Sequence, residues 1–335
     1  MTLPPGQPDH VARRVVSAAL SAYPVQPTNL ALLGSAENVT LRVDTSTGDQ
    51  FVLRIHRTTG SLFHPVRSLA EVQSEMAWLV GLRRDIGPRV PEPVPARDDS
   101  MVTVVELDGQ TEPRLCVLLR WVPGEFRHAT LTPTDLAAVG ELMAHLHDHA
   151  GGFAAPTWFR RGRIGDVVPD AAAHVIDTLT EERGPEDADI VSAVFDRVRR
   201  AEIALGETPE TFGLIHADLH QGNYAFDDGQ VCAIDFDDCG WGHFIYDFAV
   251  TLSEVSVLDN YSALRDGLLA GYEQIRPLPA GLDLHLPAFL GLREVKLMMW
   301  FLEQRDQPGF AQGPDEVEES RHYLRGLIEQ IDRGA

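Results

Sequence analysis

Residues 214–226 read LIHADLHQGNYAF, which places His216, Asp218, His220 and Asn223 between apolar runs on both sides. Polar side chains held at the edge of a core mark a stretch built for chemistry. The overlapping stretch NYAFDDGQVCAIDF carries two apolar runs around an Asp-Asp-Gly turn and predicts a short hairpin. A tight hairpin brings its ends together, so Asn223 at its start and Asp235 at its finish are expected to be neighbours, with Asp218 just upstream. An amide oxygen and two carboxylates form a hard-oxygen set suited to Mg²⁺. A site of that kind spends few protein ligands on the metal and leaves its other positions to phosphate oxygens. Asp218 is then available to orient an attacking hydroxyl.

The elements that would hold these residues follow from periodicity. NVTLRVDTSTGDQFVLRIHR alternates apolar and polar residues around a Thr-Gly-Asp turn, predicting a hairpin. Its second strand sets Phe51, Leu53 and Ile55 on one face and Val52 and Arg54 on the other. A helix follows, with Leu69, Val72, Met76, Leu79 and Leu82 at helical spacing and a stop at Gly87-Pro88. MVTVVEL and RLCVLLRWV read as two further strands before Pro123-Gly124. Beyond that point the pattern is mostly helical. Leu136, Val139, Met143 and Leu146 form one stripe, with Thr132 or Thr134 as its N-cap, and further helices are expected near 185–205, 244–275, 283–304 and 315–331. The spacing describes a β-rich N-terminal part and a helical C-terminal part.

Composition limits what such a chain does. At 335 residues it exceeds one small core and suggests two lobes. The net charge of −22, from 28 basic and 50 acidic residues, argues against nucleic acid as a partner. An anionic ligand such as ATP then needs a metal or a local basic residue as escort. A cationic substrate suits the acidic field, and so does plain solubility. No run of about 18 apolar residues exists to span a membrane, and the N-terminus lacks the layout of a secretory signal. Cys116, Cys232 and Cys239 form neither a CxxC pair nor an even framework, which suggests a reducing cytoplasm.

His216-Ala217-Asp218 with Asn223, followed by Asp235-Phe236-Asp237, resembles the protein-kinase loop H-R-D-x-x-x-x-N and its later D-F-G. HADLHQGN and AIDFDD are similar to the H-G-D-x-H-x-x-N and I-D-F/W-x-D motifs of the aminoglycoside phosphotransferase and choline kinase-like superfamily. The longer string IDFDDCGWGHFIYDFA resembles bacterial stress-response kinase A and type II homoserine kinase-like proteins. This resemblance implies an α+β, bilobal protein-kinase-like fold. A small β-rich N-lobe would occupy 1–119, a mainly helical C-lobe 120–335, and the hinge would lie near 119–124.

It further implies a role for each matched residue. Asp218 would be the catalytic base or hydroxyl-orienting group, and Asn223 and Asp235 would be Mg²⁺ ligands bridging to ATP. Arg54 would hold the α/β-phosphates and pair with Glu75. Ser35 and Asn38 would cover the nucleotide, and Leu119, Trp121 and Val122 would wall and hydrogen-bond adenine. His216 and His220 would support the catalytic loop, and Asp247 would be structural; Asp237 would contact the metal through water or the acceptor, an exposed acid in a polar loop being the other reading. Three positions depart from the kinase pattern: Arg54 stands for lysine, Gly34 is the single glycine of the covering turn, and Asp237 replaces the glycine of D-F-G.

The expected cofactors are ATP and Mg²⁺, and the expected partner is a hydroxyl-bearing acceptor. The acceptor is read first as a small alcohol, amino alcohol or aminoglycoside. A Ser/Thr protein kinase and a non-catalytic nucleotide-binding module are the alternatives. His145 and His149 sit four apart without a third ligand at diagnostic spacing, which reads as a solvated helix end. Neither the thiol of Cys239 nor the basic run WFRRGR is assigned a role.

Overall fold

The computed structural model describes residues 10–35, 37–60, 66–107, 112–164, 176–177, 180–181, 184–304 and 315–334. Its backbone contacts divide the chain into two units. One comprises Met1–Glu125, Ala154–Arg161 and Phe226–Asp237, and the other Phe126–Phe153, Gly162–Ala225 and Asp238–Ala335. The secondary structure is mixed α+β, with a β-sheet N-terminal region and a helical C-terminal region.

The first unit opens with α1 (His10–Ala22) and then β1 (Pro27–Gly34), β2 (Val39–Thr45), β3 (Gln50–Ile55), β4 (Thr103–Val105) and β5 (Arg114–Arg120). These strands form one five-stranded sheet in the order β1-β2-β3-β5-β4. The predicted β2–β3 hairpin is present, with Leu41 opposite Leu53 and Val43 opposite Phe51. Gly48 closes its turn at φ 87°, a conformation glycine adopts without penalty. Leu41, Val43, Phe51, Leu53 and Ile55 then pack with Val15, Val16, Ala19 and Leu20 of α1 and with Tyr23 just beyond its end. Each such burial contributes about 1.5–3 kcal/mol.

Between β3 and β4 runs α2 (Leu69–Ile86). Ser68 and Glu71 form a reciprocal capping box at its start. Val72, Met76, Leu79 and Leu82 are fully buried as their spacing predicts, along with Trp78 and the charged Glu75. Leu69 is 40% exposed, because it is the first helical residue and precedes the turn where the buried stripe begins.

The second unit carries α3 (Pro133–Gly152), α4 (Pro185–Leu205), β6 (Phe212–Ile215), β9 (Gly240–His243), α5 (Ile245–Val255), α6 (Tyr261–Glu273), α7 (Leu282–Gln304) and α8 (Asp315–Gly334). Thr132 is the N-cap of α3, and Asp135 completes its capping box. Along the seam of α3 and α6, a Cβ at Gly140 would strike the Leu268 carbonyl and one at Gly271 would strike the Ala137 carbonyl. These glycines let the two helix backbones touch. The predicted short hairpin is formed by β7 (Tyr224–Asp227) and β8 (Gln230–Ala233). Its turn has positive φ at both Asp228 (46°) and Gly229 (80°), the twist a two-residue hairpin needs.

Candidate active site

The loop 216–223 leaves the end of β6, which is paired to β9 with Leu214 opposite Trp241 and Ile215 opposite Gly240. Ala217 turns the chain at φ 67°, a left-handed conformation that costs a residue with a Cβ about 1–2 kcal/mol. Asp247 supplies the compensation from the first turn of α5, directly after β9. Its Oδ2 accepts from the His216 amide at 3.1 Å and its Oδ1 from the Ala217 amide at 2.7 Å. Hydrogen bonds to a carboxylate are about twice as strong as neutral ones.

Asp247 is itself held by a residue the sequence reading passed over. His147 Nε2 lies 3.0 Å from Asp247 Oδ2, and its Nδ1 lies 3.0 Å from the Tyr272 hydroxyl. A neutral ring donating to Asp247 and accepting from Tyr272 satisfies both nitrogens. Burial pushes the His147 ring below its ordinary pKa, against the upward pull of Asp247. His147 was legible: four residues after Met143, it falls on the buried stripe of α3. The flanking His145 and His149 take ordinary partners, Glu141 at 3.7 Å and the Phe153 ring.

This anchored loop presents Asp218. Its Oδ1 accepts from Arg293 Nη1 at 2.8 Å, its Oδ2 accepts from Asn223 Nδ2 at 2.8 Å, and His220 Nε2 stands 3.4 Å from Oδ2. Asn223 Nδ2 also donates to the Asp218 carbonyl at 2.9 Å, which orients the amide with its oxygen directed elsewhere. Burial works to raise the Asp218 pKa, but Arg293 and then His220 hold the carboxyl well below the usual carboxylate range. Asp218 is therefore an anion at neutral pH. That suits phosphoryl transfer, which asks for an oriented hydroxyl more than for a strong base. His216 accepts the Asp218 amide on Nδ1 at 3.3 Å, a supporting role.

The first unit assembles the other matched residues. Arg54 on β3 is 4% exposed and Glu75 on α2 is fully buried. Their side chains form an ion pair, and Arg54 Nη1 also reaches Asp235 Oδ1 at 3.2 Å. Burial would lower the Arg54 pKa, but Glu75, Asp237 and Asp235 outweigh it and keep the guanidinium charged. Asp235 sits at φ 59°, and its side chain remains 55% exposed.

Asp237 is buried rather than solvated: its Oδ2 accepts from Asn38 Nδ2 at 3.0 Å and its carbonyl from Arg161. Burial would raise its pKa, yet Arg54 and His56 hold it low. His56, Glu75 and Asp237 offer metal-ligating atoms within 4.8 Å of one another, but the Arg54 guanidinium paired to Glu75 already supplies positive charge there. Ser35 is exposed, Leu119 is buried, and Trp121 and Val122 are half-buried. The Trp121 amide is bonded to the Gln50 carbonyl at 3.0 Å. From the basic run, Arg161 serves Asp237 and Arg163 pairs with Glu207.

An ionised, oriented aspartate on one anchored loop, and a buried Arg–Glu pair reaching a second aspartate, are the parts of a phosphotransferase that acts on an alcohol. The chain belongs to the phosphotransferase enzyme family, which it matches over residues 29–285. It is 30% identical over 281 residues to the homoserine kinase of Gluconacetobacter diazotrophicus, spanning 80% of this chain and 79% of that one. The solved microcompartment-associated aminopropanol kinase has a TM-score of 0.75 at 28% identity, covering 96% of this chain and 97% of its own. Amicoumacin kinase hAmiN in complex with AMP-PNP, Ca²⁺ and Ami shares the fold, with a TM-score of 0.76 at 22% identity over 95% and 93% of the two chains. Among the described residues, no helix is long and apolar enough to cross a membrane.

Proposed function

We propose that this protein is an ATP- and Mg²⁺-dependent kinase that moves the γ-phosphoryl group to the hydroxyl of a small molecule. The observation that carries the reading is Asp218, kept ionised by Arg293 and oriented by Asn223 on a loop that Asp247 pins. Homoserine, aminopropanol and amicoumacin kinases among the similar proteins support a small acceptor over a protein one.

In this reading Asp218 accepts the hydrogen bond of the acceptor hydroxyl and aims its oxygen. Asn223 and Asp235 are the residues that would hold the metal. The donor set fits, because an amide oxygen with its nitrogen already bonded and a carboxylate are both hard oxygen ligands. Mg²⁺, when bound, neutralises charge on the transferring phosphate. Arg54, fixed by Glu75, contacts nucleotide phosphate, and a guanidinium does so in bidentate fashion. Leu119, Trp121 and Val122 wall the adenine, with Ser35 and Asn38 on the covering turn. Because the Trp121 amide is bonded within the sheet, the adenine hydrogen bond falls to Val122. Three buried cysteine thiols, Cys116, Cys232 and Cys239, support a cytoplasmic setting.

The test is ADP formation from ATP with Mg²⁺ across a panel of alcohols. Asp218→Ala is expected to lower turnover by about 10²–10⁴-fold while nucleotide still binds. Full turnover by that variant would remove Asp218 from the role.

A further inference from the structure

Of the 28 basic residues in this chain, 27 are arginine; the single lysine is Lys296. It lies on α7 one helical turn after Arg293, the residue that clamps Asp218. Spacing of three along a helix puts both side chains on one face. That face meets α5, which contributes Glu254, 3.6 Å from Arg293 Nη2, and Tyr246, whose ring centroid lies 5.6 Å from Lys296 Nζ. Two cations in the mainly apolar run AFLGLREVKLMMW, whose one acid, Glu294, is taken up by the Ser320 hydroxyl, are not a solvated surface pattern.

The partners around these groups are unequal. Both Arg293 terminal nitrogens face carboxylates, those of Asp218 and Glu254, while Arg293 Nε and the Tyr246 hydroxyl have no hydrogen-bond partner among the described residues. Lys296 is half-buried and, among the described residues, no oxygen lies within ion-pair or hydrogen-bond reach of its ammonium, which stands over the Tyr246 ring face. Burial would lower its pKa, but Tyr246, Asp238 and Asp218 outweigh burial and Arg293 together, so the ammonium stays charged. The unpartnered groups on this face are thus two cationic donors, Arg293 Nε and the Lys296 ammonium, and one hydroxyl that can donate or accept. A purely cationic acceptor would leave the two cationic donors unmet and add like charge. A carboxylate or phosphate would satisfy them. A compact ammonium directs its three donors freely toward such an oxygen.

Building on the kinase reading, we infer that the acceptor alcohol carries an anionic group, a carboxylate or a phosphate, and that Lys296 is the residue that binds it, with Arg293 beside it. Acceptor specificity then rests on a positive point within a strongly negative protein, where the net charge alone would favour cations.

A sole lysine gives a direct readout. Reductive methylation with ¹³C-formaldehyde labels Lys296 and the N-terminal amine while keeping both charges, and loss of one signal in Lys296→Arg assigns it. In the presence of Mg²⁺ and AMP-PNP, the Lys296 signal is followed on titration with 4-hydroxybutyrate, sn-glycerol 3-phosphate and 4-aminobutanol. We expect one of the two anionic alcohols to move it at a concentration at least tenfold below that needed for 4-aminobutanol, and which of them does so separates carboxylate from phosphate. In ADP-release assays, Lys296→Met is expected to raise KM for that alcohol at least tenfold and leave KM for ATP within twofold. An equal or better response to 4-aminobutanol overturns the inference. So does a signal moved fully by AMP-PNP alone, or an unchanged acceptor KM in Lys296→Met. If an anionic alcohol moves the signal yet no alcohol yields ADP, the anion site stands and the kinase reading falls.

Discussion

The carboxylate of Asp247 is the fixed point from which the loop 216–223 hangs, and Asp247→Asn tests it with almost no change of shape. In the wild type, Oδ1 serves the Ala217 amide, while Oδ2 serves the His216 amide and the His147 ring. The asparagine has one oxygen for two backbone donors. Keeping it on Ala217 points the amide nitrogen at the His216 N–H, and flipping it strands the Ala217 N–H instead. Either way one buried donor is orphaned, at about 1–3 kcal/mol. The surviving bonds lose their charge assistance, about 1 kcal/mol each. The sum is about 4 kcal/mol, a large share of the ~5–15 kcal/mol that holds a domain together. At about 2 °C per kcal/mol for a large chain, the melting temperature falls by ~8 °C. Urea unfolding of wild type and variant, followed by circular dichroism, measures the difference directly. Turnover should fall with it, since Ala217 precedes Asp218 and relaxes from φ 67° once its amide is released. A loss below about 1 kcal/mol with unchanged turnover would refute the anchoring argument.

Three further outcomes follow from the same physics. Arg54→Met leaves the fully buried Glu75 without its counter-charge and should cost about 3–5 kcal/mol in urea unfolding, with Arg54→Lys falling between it and wild type. At Ala217, glycine removes left-handed strain of ~1 kcal/mol and adds a similar entropy to the unfolded chain. Ala217→Gly should thus sit within about 0.5 kcal/mol of wild type, whereas Ala217→Val should lose more than about 2 kcal/mol. For pH, the His147 ring faces Asp247, Tyr272, Arg276 and the stacked Phe244, and its folded pKa is depressed chiefly by burial. The unfolded ring takes a proton below about pH 6.5 while the folded ring resists, so stability falls with pH there, by up to ~1.4 kcal/mol per unit from this residue. Unfolding free energies at pH 7.5 and 5 should show that slope reduced in His147→Gln. An identical slope would mean that the ring is charged in the fold.

Local rules were enough to read the parts of this protein from its residues. The β2–β3 hairpin announces itself by period-two alternation around Thr-Gly-Asp, α3 by its stripe and Thr cap, and the HADLHQGN motif by fixed offsets within a short loop. These signals survive in one dimension because each depends on neighbours fewer than about ten residues apart. Arg54 and Glu75 were legible as a pair only through resemblance, since nothing local links a strand residue to a helix residue 21 positions on.

The residues that hold this loop and its aspartate lie outside that range. Asp247 reaches back 31 and 30 positions to the amides of His216 and Ala217, His147 joins it across 100, and Arg293 meets Asp218 across 75. Asp237, indistinguishable in sequence from a solvated acid, is buried between Asn38 and Arg161. The sequence by itself determined which groups are present and what chemistry they favour. Only the tertiary structure decided which of them are charged, satisfied or open, because pKa and hydrogen-bond partners depend on burial and on charges that distant segments deliver.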